Sequence, residues 1–172
     1  TAEILDRGYA YAAVFPSEIV ADGGGAELAR RDLEAFASLL PEDRQPNAAI
    51  AVWAAAFGWM NDVLDEDPRL DASRTAAYGH SRHGKAALLA GAFDTRIEAV
   101  LSHQSGKGGA TLTRSHAGES VKQITRSYPH WFAPAYAAWA DNEQGAPVDQ
   151  HQLIALIAPR HVLLGNGWKD VW

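Results

Sequence analysis

The sequence contains no cysteine, a single methionine and no long uninterrupted apolar run. The lack of cysteine excludes disulfide bonds, thiolate catalysis and cysteine-ligated zinc, but it does not define the cellular compartment. No apolar run approaches the roughly 20 residues of a membrane-spanning helix. A net charge of −6 and the lack of a basic run argue against nucleic acid or an anionic membrane surface as the main partner.

The apolar content is nevertheless sufficient for a folded core. Of 172 residues, 47% are hydrophobic, which predicts one soluble globular domain over residues 1–172. Helical and extended patterns alternate without internal repeats, and this alternation favours the α/β class. The sequence opens at Thr1 without an initiator methionine or a signal peptide. We therefore expect a processed or incomplete product.

Apolar periodicity predicts the order of elements. Strands are expected at residues 8–15, 74–78, 98–102 and 161–164, and helices at residues 26–40, 47–64, 82–93 and 150–158. The helix at 47–64 is mostly apolar, so its tryptophans should pack in the core rather than bind a ligand. Asp149 should cap the last helix and Pro159 should end it. Residues 103–116, rich in Gly, Ser, Thr and Lys, should form a loop at the carboxyl edge of the sheet, where α/β proteins place their sites.

The segment from Gly79 to Ala86 reads Gly-His-Ser-Arg-His-Gly-Lys-Ala and follows a short apolar run. A serine at a sharp turn between strand and helix is typical of a nucleophile elbow, in which the hydroxyl stands above the sheet near oxyanion-binding N–H groups. Two alternative interpretations of this segment remain open. One is a purely structural glycine turn, and the other is a phosphate-binding P-loop, which Ala86 argues against because it offers no Mg²⁺ ligand after Lys85.

Five segments together resemble the glucuronoyl esterases of carbohydrate esterase family 15. In the family's order they are GHSRHGKAALLAGAFD, SHQSGKGGA, GESVKQITRSYPHWF, DQHQLIALIAPRHVLL and the closing DVW, and residues 76–172 carry the resemblance best. The resemblance implies an α/β-hydrolase fold with a mostly parallel sheet flanked by helices, present here as a partial copy. It also implies hydrolysis of esters between 4-O-methyl-glucuronate branches of xylan and lignin alcohols.

The resemblance also implies roles for particular residues. Ser81 is expected to be the nucleophile, and Arg82 to face the developing oxyanion with both its backbone N–H and its guanidinium. Lys85 lies one helical turn beyond Ser81 and is expected to hydrogen-bond sugar hydroxyls. The partner is expected to be glucuronoxylan or another uronate-ester carbohydrate.

The acid of the catalytic triad departs from the commoner family pattern. Gln104 stands where many members carry glutamate. A neutral amide cannot stabilise the positive charge of the catalytic imidazolium, so Gln104 is expected only to form hydrogen bonds next to the substrate. Some bacterial relatives supply the acid later, just before a tryptophan. Asp170 fits that position, and Trp172 would then present an indole face to the sugar.

The catalytic histidine is expected beyond Trp172, because none of the seven histidines of the chain stands in the family's position. His103, at a strand end, is a possible neighbour of the site. No histidine spacing suggests a metal site, and we expect neither metal nor cofactor. The chain is therefore expected to lack a C-terminal segment and earlier strands, to expose a sheet edge, and to have little activity alone. The substrate implies a periplasmic or extracellular location, and the sequence does not define the oligomeric state.

Three alternatives follow from these departures and from the motif. They are an acetyl or feruloyl esterase, a catalytically silent sugar-binding relative, and the P-loop nucleotide binder.

Overall fold

The computed structural model describes residues 2–23 and 25–168. In these residues the helices are α1 (Ala2–Asp6), α2 (Ala26–Ala37), α3 (Ala49–Asp65), α4 (Arg82–Phe93), α5 (Val121–Ser127), α6 (Pro134–Ala137) and α7 (Gln150–Ala155). The strands are β1 (Thr75–His80), β2 (Ile97–His103) and β3 (His161–Gly165).

Within the described residues the strands form one parallel three-stranded sheet in the order β1-β2-β3. The register pairs His80 with His103 and His103 with Gly165, so the strands end level with one another. Parallel neighbours need crossover connections, and α4 supplies the one between β1 and β2. The α/β class predicted from the alternating pattern is confirmed. Side chains that follow the three strand ends are thereby gathered at one edge.

Helix α4 packs closely on the sheet because it carries small residues on its buried face. Ala86, Ala87 and Leu88 are fully buried. A Cβ at Gly91 would lie 2.2 Å from Val100 Cγ2 on β2, so a larger residue there would push the helix away from the strand. The helix observed over Arg82–Phe93 confirms the predicted range.

Helix α3 forms a second layer against α4, and its amino-terminal half is the more deeply buried. Trp53 is fully buried, and its Nε1 donates to the carbonyl oxygen of Val20 at 3.0 Å. The indole thus fills the core while its polar N–H is satisfied. The prediction that the tryptophans of this helix pack in the core is confirmed for Trp53 but wrong for Trp59, which is 41% exposed and has its ring beside that of Phe36 on α2. The hydrogen bond of Trp53 fixes the segment that precedes α2.

Arg160 joins the start of β3 to the end of α4. Its Nη1 donates to the carbonyls of Asp94 at 2.9 Å and Ile97 at 2.7 Å, and its Nη2 donates to that of Gly91 at 2.6 Å. The carbonyls of Gly91 and Asp94 lie in the last turn of the helix and directly after it, where acceptors lack intrahelical partners, and Ile97 is the first residue of β2. Arg160 therefore completes the carboxyl end of α4.

The predicted strand at residues 8–15 is wrong. The segment is irregular, and Tyr9, Tyr11 and Phe15 are exposed by 63%, 56% and 65%. Aromatic side chains favour extended backbone, but a strand needs a hydrogen-bonding neighbour, and none of the described strands pairs with this segment. Two helices are also shorter than predicted: α2 ends at Ala37 rather than residue 40, and α7 ends at Ala155 rather than residue 158. The predicted cap of α7 is confirmed, since Asp149 accepts from Gln150 N and forms a capping box with Gln152.

None of the helices in the part of the chain that the structure describes is long and apolar enough to cross a membrane.

Candidate active site

Ser81 alone separates β1 from α4, and its backbone is strained. Its φ of 55° and ψ of −123° lie outside the regions that a non-glycine residue ordinarily adopts. The sharp turn requires Gly79, because a Cβ there would lie 2.0 Å from the carbonyl oxygen of His83. Ser81 N donates to His103 O at 2.8 Å, which ties the turn to the end of β2. The hydroxyl is thus held at the carboxyl edge of the sheet and the amino terminus of a helix.

This geometry does not form the phosphate-cradling loop of the P-loop alternative. That alternative needs the backbone from Gly79 to Lys85 to wrap around a phosphate as a loop. Instead, α4 begins at Arg82, and Lys85 N donates to Ser81 O at 3.1 Å within the first helical turn.

The guanidinium of Arg82 is held by an acid and two aromatic rings. Its Nη1 makes an ion pair with Asp22 Oδ2, and its Cζ lies 4.6 Å from the ring centre of Trp131 and 5.5 Å from that of Tyr128. Trp131 and Tyr128 are stacked at 3.8 Å with an interplanar angle of 4°. Arg82 therefore lies beside Ser81 in a fixed cationic position, and its contact with an oxyanion stays a prediction.

Asp22 was missed by the sequence reasoning, since it stands 60 residues before Arg82. Burial alone would raise the pKa of Asp22. Hydrogen bonds from Trp131 and Arg82, together with the charge of Arg82, outweigh burial and hold the pKa below its usual value. The carboxylate is therefore ionised at neutral pH.

Lys85 is buried, with 4% of its surface exposed, in the first turn of α4. Its Nζ donates to Ser105 O and lies 5.8 Å from the ring centre of Trp131. Burial lowers the pKa of Lys85 to about 8, while the nearby charge of Glu119 acts in the opposite direction. The ammonium faces the loop after β2, and its contact with a sugar stays a prediction.

Gln104 lies directly after β2 with a positive φ of 47°. Its Oε1 is 3.1 Å from His80 Nε2, and its backbone N donates to Gly165 O at 2.7 Å. The rings of His80 and His103 lie 5.2 Å apart. Gln104 thus joins the ends of the three strands, and its predicted place beside the substrate remains untested.

Asp170 and Trp172, the predicted triad acid and sugar-facing aromatic, lie outside the described residues. The chain that leads to them leaves β3 at Gly165, whose carbonyl accepts from Gln104. Among residues 2–23 and 25–168, no hydrogen bond joins the Ser81 hydroxyl to a histidine ring. No group of three or more metal-ligating side chains is clustered in that same part of the chain.

Lys107 is a second buried lysine that the sequence reasoning did not single out. Its Nζ donates to the carbonyls of Leu112 at 3.0 Å, Thr113 at 3.3 Å and Ser115 at 2.9 Å. Asp149 fastens the same loop to α7 by accepting from Thr113 N at 2.6 Å. The loop predicted at residues 103–116 is therefore compact and anchored.

The parallel sheet with its crossover helix and strained serine turn places the chain in the α/β-hydrolase class. Residues 5–172 match the family model described as glucuronyl esterase, fungi. The chain therefore belongs to the glucuronoyl esterase family.

Individual relatives agree with this assignment. The chain is 38% identical to a carbohydrate esterase from an unknown prokaryotic organism, over 98% of this chain and 39% of that protein. It is 32% identical to 4-O-methyl-glucuronoyl methylesterase 1 of Wolfiporia cocos, over 85% of this chain and 38% of that protein. The chain thus spans about two-fifths of the length of these relatives.

Solved structures show the same fold. A glucuronoyl esterase from Solibacter usitatus superimposes with a TM-score of 0.83 at 35% identity, covering 99% of this chain and 44% of that one. A family 15 glucuronoyl esterase from Teredinibacter turnerae superimposes with a TM-score of 0.84 at 34% identity, covering 99% of this chain and 41% of that one. The partial α/β-hydrolase fold expected from the resemblance is confirmed.

Proposed function

We propose that the protein is a serine carboxylic ester hydrolase that cleaves 4-O-methyl-glucuronate esters of xylan, including those to lignin alcohols. The observation that carries this proposal is Ser81, held at a φ of 55° between β1 and α4 beside two cationic side chains, in a chain that belongs to the glucuronoyl esterase family. Strained serine turns of this form serve as nucleophile elbows in α/β-hydrolases.

Ser81 Oγ attacks the uronate carbonyl carbon, and its proton passes to a histidine expected beyond Trp172. The backbone N–H of Arg82 and its guanidinium hold the oxyanion of the tetrahedral intermediate. The alcohol leaves with the proton from the imidazolium, which Asp170 steadies. Water then hydrolyses the acyl-enzyme and releases the uronate.

Substrate binding falls to Lys85, Gln104 and Trp172. Among the described residues, Lys85 Nζ donates one of its three N–H groups to Ser105 O. Two N–H groups therefore remain to donate to sugar hydroxyls. Trp172 offers an indole face to the pyranose ring. A substrate in plant cell walls places the enzyme outside the cell, and we propose a periplasmic or extracellular location.

The test is hydrolysis of methyl 4-O-methyl-glucuronate by the full-length protein and its Ser81→Ala variant. We expect the variant to lose turnover by about 10⁴-fold or more while remaining folded. Turnover that survives Ser81→Ala would refute the serine mechanism. Binding of glucuronate without any turnover in either protein would support the silent sugar-binding alternative, to which the neutral Gln104 points.

The choice of ester can be tested with Lys85→Ala. If Lys85 binds sugar hydroxyls, the variant should lose kcat/KM on glucuronate esters and keep it on simple aryl acetates. Equal losses on both substrates would favour the acetyl or feruloyl esterase alternative.

A further inference from the structure

Asp22 is fixed in place by its neighbours in the chain. Val20 is fully buried and its carbonyl accepts from Trp53 Nε1, while Ala21 N donates to Asp32 Oδ2 at 3.1 Å. Asp22 therefore follows a stretch of backbone that is tied to α3 on one side and α2 on the other. Its side chain has 16% of its surface exposed.

Three donors from distant parts of the chain converge on this one carboxylate. Oδ2 accepts from Arg82 Nη1, and Oδ1 accepts from Trp131 Nε1 at 2.7 Å. The ring nitrogen Nε2 of His130 lies 3.4 Å from the same Oδ1. Because Trp131 also stacks under the Arg82 guanidinium, the carboxylate fixes both the cation and the ring on which it rests.

We propose that Asp22 is a positioning residue of the Ser81 site: it holds the Arg82 guanidinium over Trp131 and balances its charge, so that the site releases the anionic uronate product. This inference rests on the proposed esterase function.

The reaction itself changes the charge of the ligand. Water adds across the ester bond, the alcohol departs, and the sugar carboxyl loses a proton and becomes an anion. Arg82 and Lys85 are cations next to Ser81, and without a counter-charge they would bind the product better than the neutral substrate. Asp22 pairs directly with Arg82, and Glu119 lies near enough to Lys85 to raise its pKa. The cations are thus matched by anions.

The ion pair also leaves Arg82 with free donors. Of its five N–H groups, the contacts with described residues use one, on Nη1, for Asp22. The remaining groups stay available for an oxyanion while the acid and the two rings restrict the side chain to one pose. A guanidinium already in place costs no reorganisation when the oxyanion forms.

The experiment compares Asp22→Asn, Arg82→Gln and the double variant in the full-length protein, with methyl glucuronate as substrate and glucuronate as product inhibitor. Asp22→Asn should lower kcat by about 10- to 100-fold. It should also tighten inhibition by glucuronate by about tenfold, because the uncovered Arg82 charge now faces the product. The double variant should be no slower than Arg82→Gln alone, since Asp22 acts through Arg82.

Asp62→Asn is the matched control. Asp62 also pairs with an arginine, Arg96, but both side chains are exposed and lie on the far part of α3 and the turn after α4. The control should leave kcat and product inhibition unchanged. Asp22→Glu, which keeps the charge, should recover the weak product inhibition even where kcat is only partly restored.

The proposal is overturned if Asp22→Asn folds and keeps both wild-type kcat and wild-type inhibition by glucuronate, or if its loss of kcat adds to that of Arg82→Gln. Should Asp22→Asn fail to fold, Trp131→Phe removes one donor to the carboxylate and should show the same two changes in smaller measure.

A second measurement separates this inference from the proposed function. The side-chain Nη1–H signal of Arg82, assigned by its loss in Arg82→Gln, should be protected from exchange in the wild type, where Nη1 donates to Asp22, and unprotected in Asp22→Asn. If the wild type hydrolyses no glucuronate ester, the proposed function fails while this signal still decides whether Asp22 positions Arg82. An unprotected signal in the wild type would overturn the positioning role.

Discussion

Lys85 and Lys107 are both almost fully buried, with 4% and 2% of their surfaces exposed, yet their ammonium groups are satisfied differently. Lys107 Nζ donates to three backbone carbonyls, which uses every N–H that it has. Lys85 Nζ, among the described residues, donates to the single carbonyl of Ser105 and otherwise faces the ring of Trp131.

The difference separates a structural lysine from one available to a ligand. A buried ammonium with all donors used stabilises the loop around it, whereas one with spare donors carries a desolvation cost that a ligand can relieve. Burial also lowers the pKa of Lys107, against the opposing charges of Glu143 and Asp149, and it lowers the pKa of Lys85 to about 8. Replacing each lysine with methionine should therefore have opposite effects: a loss of stability at Lys107 and a loss of catalysis at Lys85.

The largest effect is expected from Lys107→Met. The change leaves three carbonyls of the loop at residues 112–115 without their donor, and we expect the free energy of unfolding to fall by about 4 kcal/mol. Urea denaturation of the variant and the wild type measures it. A loss below about 1 kcal/mol would mean that the loop finds other partners and that Lys107 is not structural.

Lys85→Met should have the reverse profile. We expect kcat/KM on glucuronate esters to fall by about 100-fold, equivalent to about 2.7 kcal/mol, because sugar hydroxyls lose their donor. Stability at pH 7 should be kept or increased, since methionine fills similar space without burying a charge. Steady-state kinetics and denaturation of the same preparation test both parts, and a destabilised variant with normal kinetics would reverse the assignment of the two lysines.

An effect comparable in free energy to that of Lys85→Met on kcat/KM is expected in the pH dependence of stability. The pKa of Lys85 is about 8 in the folded protein and 10.5 ordinarily, so between these pH values the unfolded chain binds a proton that the folded chain does not. The free energy of unfolding due to Lys85 therefore rises with pH across this window, by at most about 3 kcal/mol. Subtracting the profile of Lys85→Met from that of the wild type isolates this contribution. A difference that stays flat from pH 7 to pH 11 would contradict it.

The smallest effect is expected from Lys122→Met. Lys122 pairs with Asp141 at 2.7 Å, but both side chains are largely exposed, at 62% and 68%. Solvent and salt screen such pairs, so neither stability nor turnover should change measurably. This variant is the reference for the two buried lysines, and a marked loss would show that any lysine of this chain is sensitive to substitution.

Local patterns in the sequence predicted the elements that carry their own signal. The run from Arg82 to Phe93 has helical spacing and follows a glycine-bracketed serine, and the observed helix occupies that range. The strands at 75–80, 97–103 and 161–165 follow from short apolar runs between turn residues. Each of these elements packs against another element of this chain. The preference of its residues for helix or strand therefore agrees with its tertiary contacts.

The rest depends on contacts between distant residues, which no local pattern shows. The run at 8–15 has strand-forming side chains but lacks a partner among the described strands. Asp22 directly precedes three glycines, a setting in which a lone acid is usually solvated, and only folding brings it to Arg82 and Trp131. Lys107 stands among glycines in a segment that the sequence predicts only as a loop, and its three acceptors become visible only once that loop folds around it.

The contact of Arg160 with the end of α4 has a consequence at the opposite end of that helix. Aligned peptide dipoles give a helix about half a positive charge at its amino terminus and half a negative charge at its carboxyl terminus. Arg160 provides a full positive charge at the carboxyl terminus, through hydrogen bonds to the carbonyls of Gly91, Asp94 and Ile97. The positive pole at Ser81, about 18 Å away along the axis, has no such compensation from Arg160. The positive end of the helix dipole therefore faces the serine turn, where the oxyanion of the proposed reaction would form.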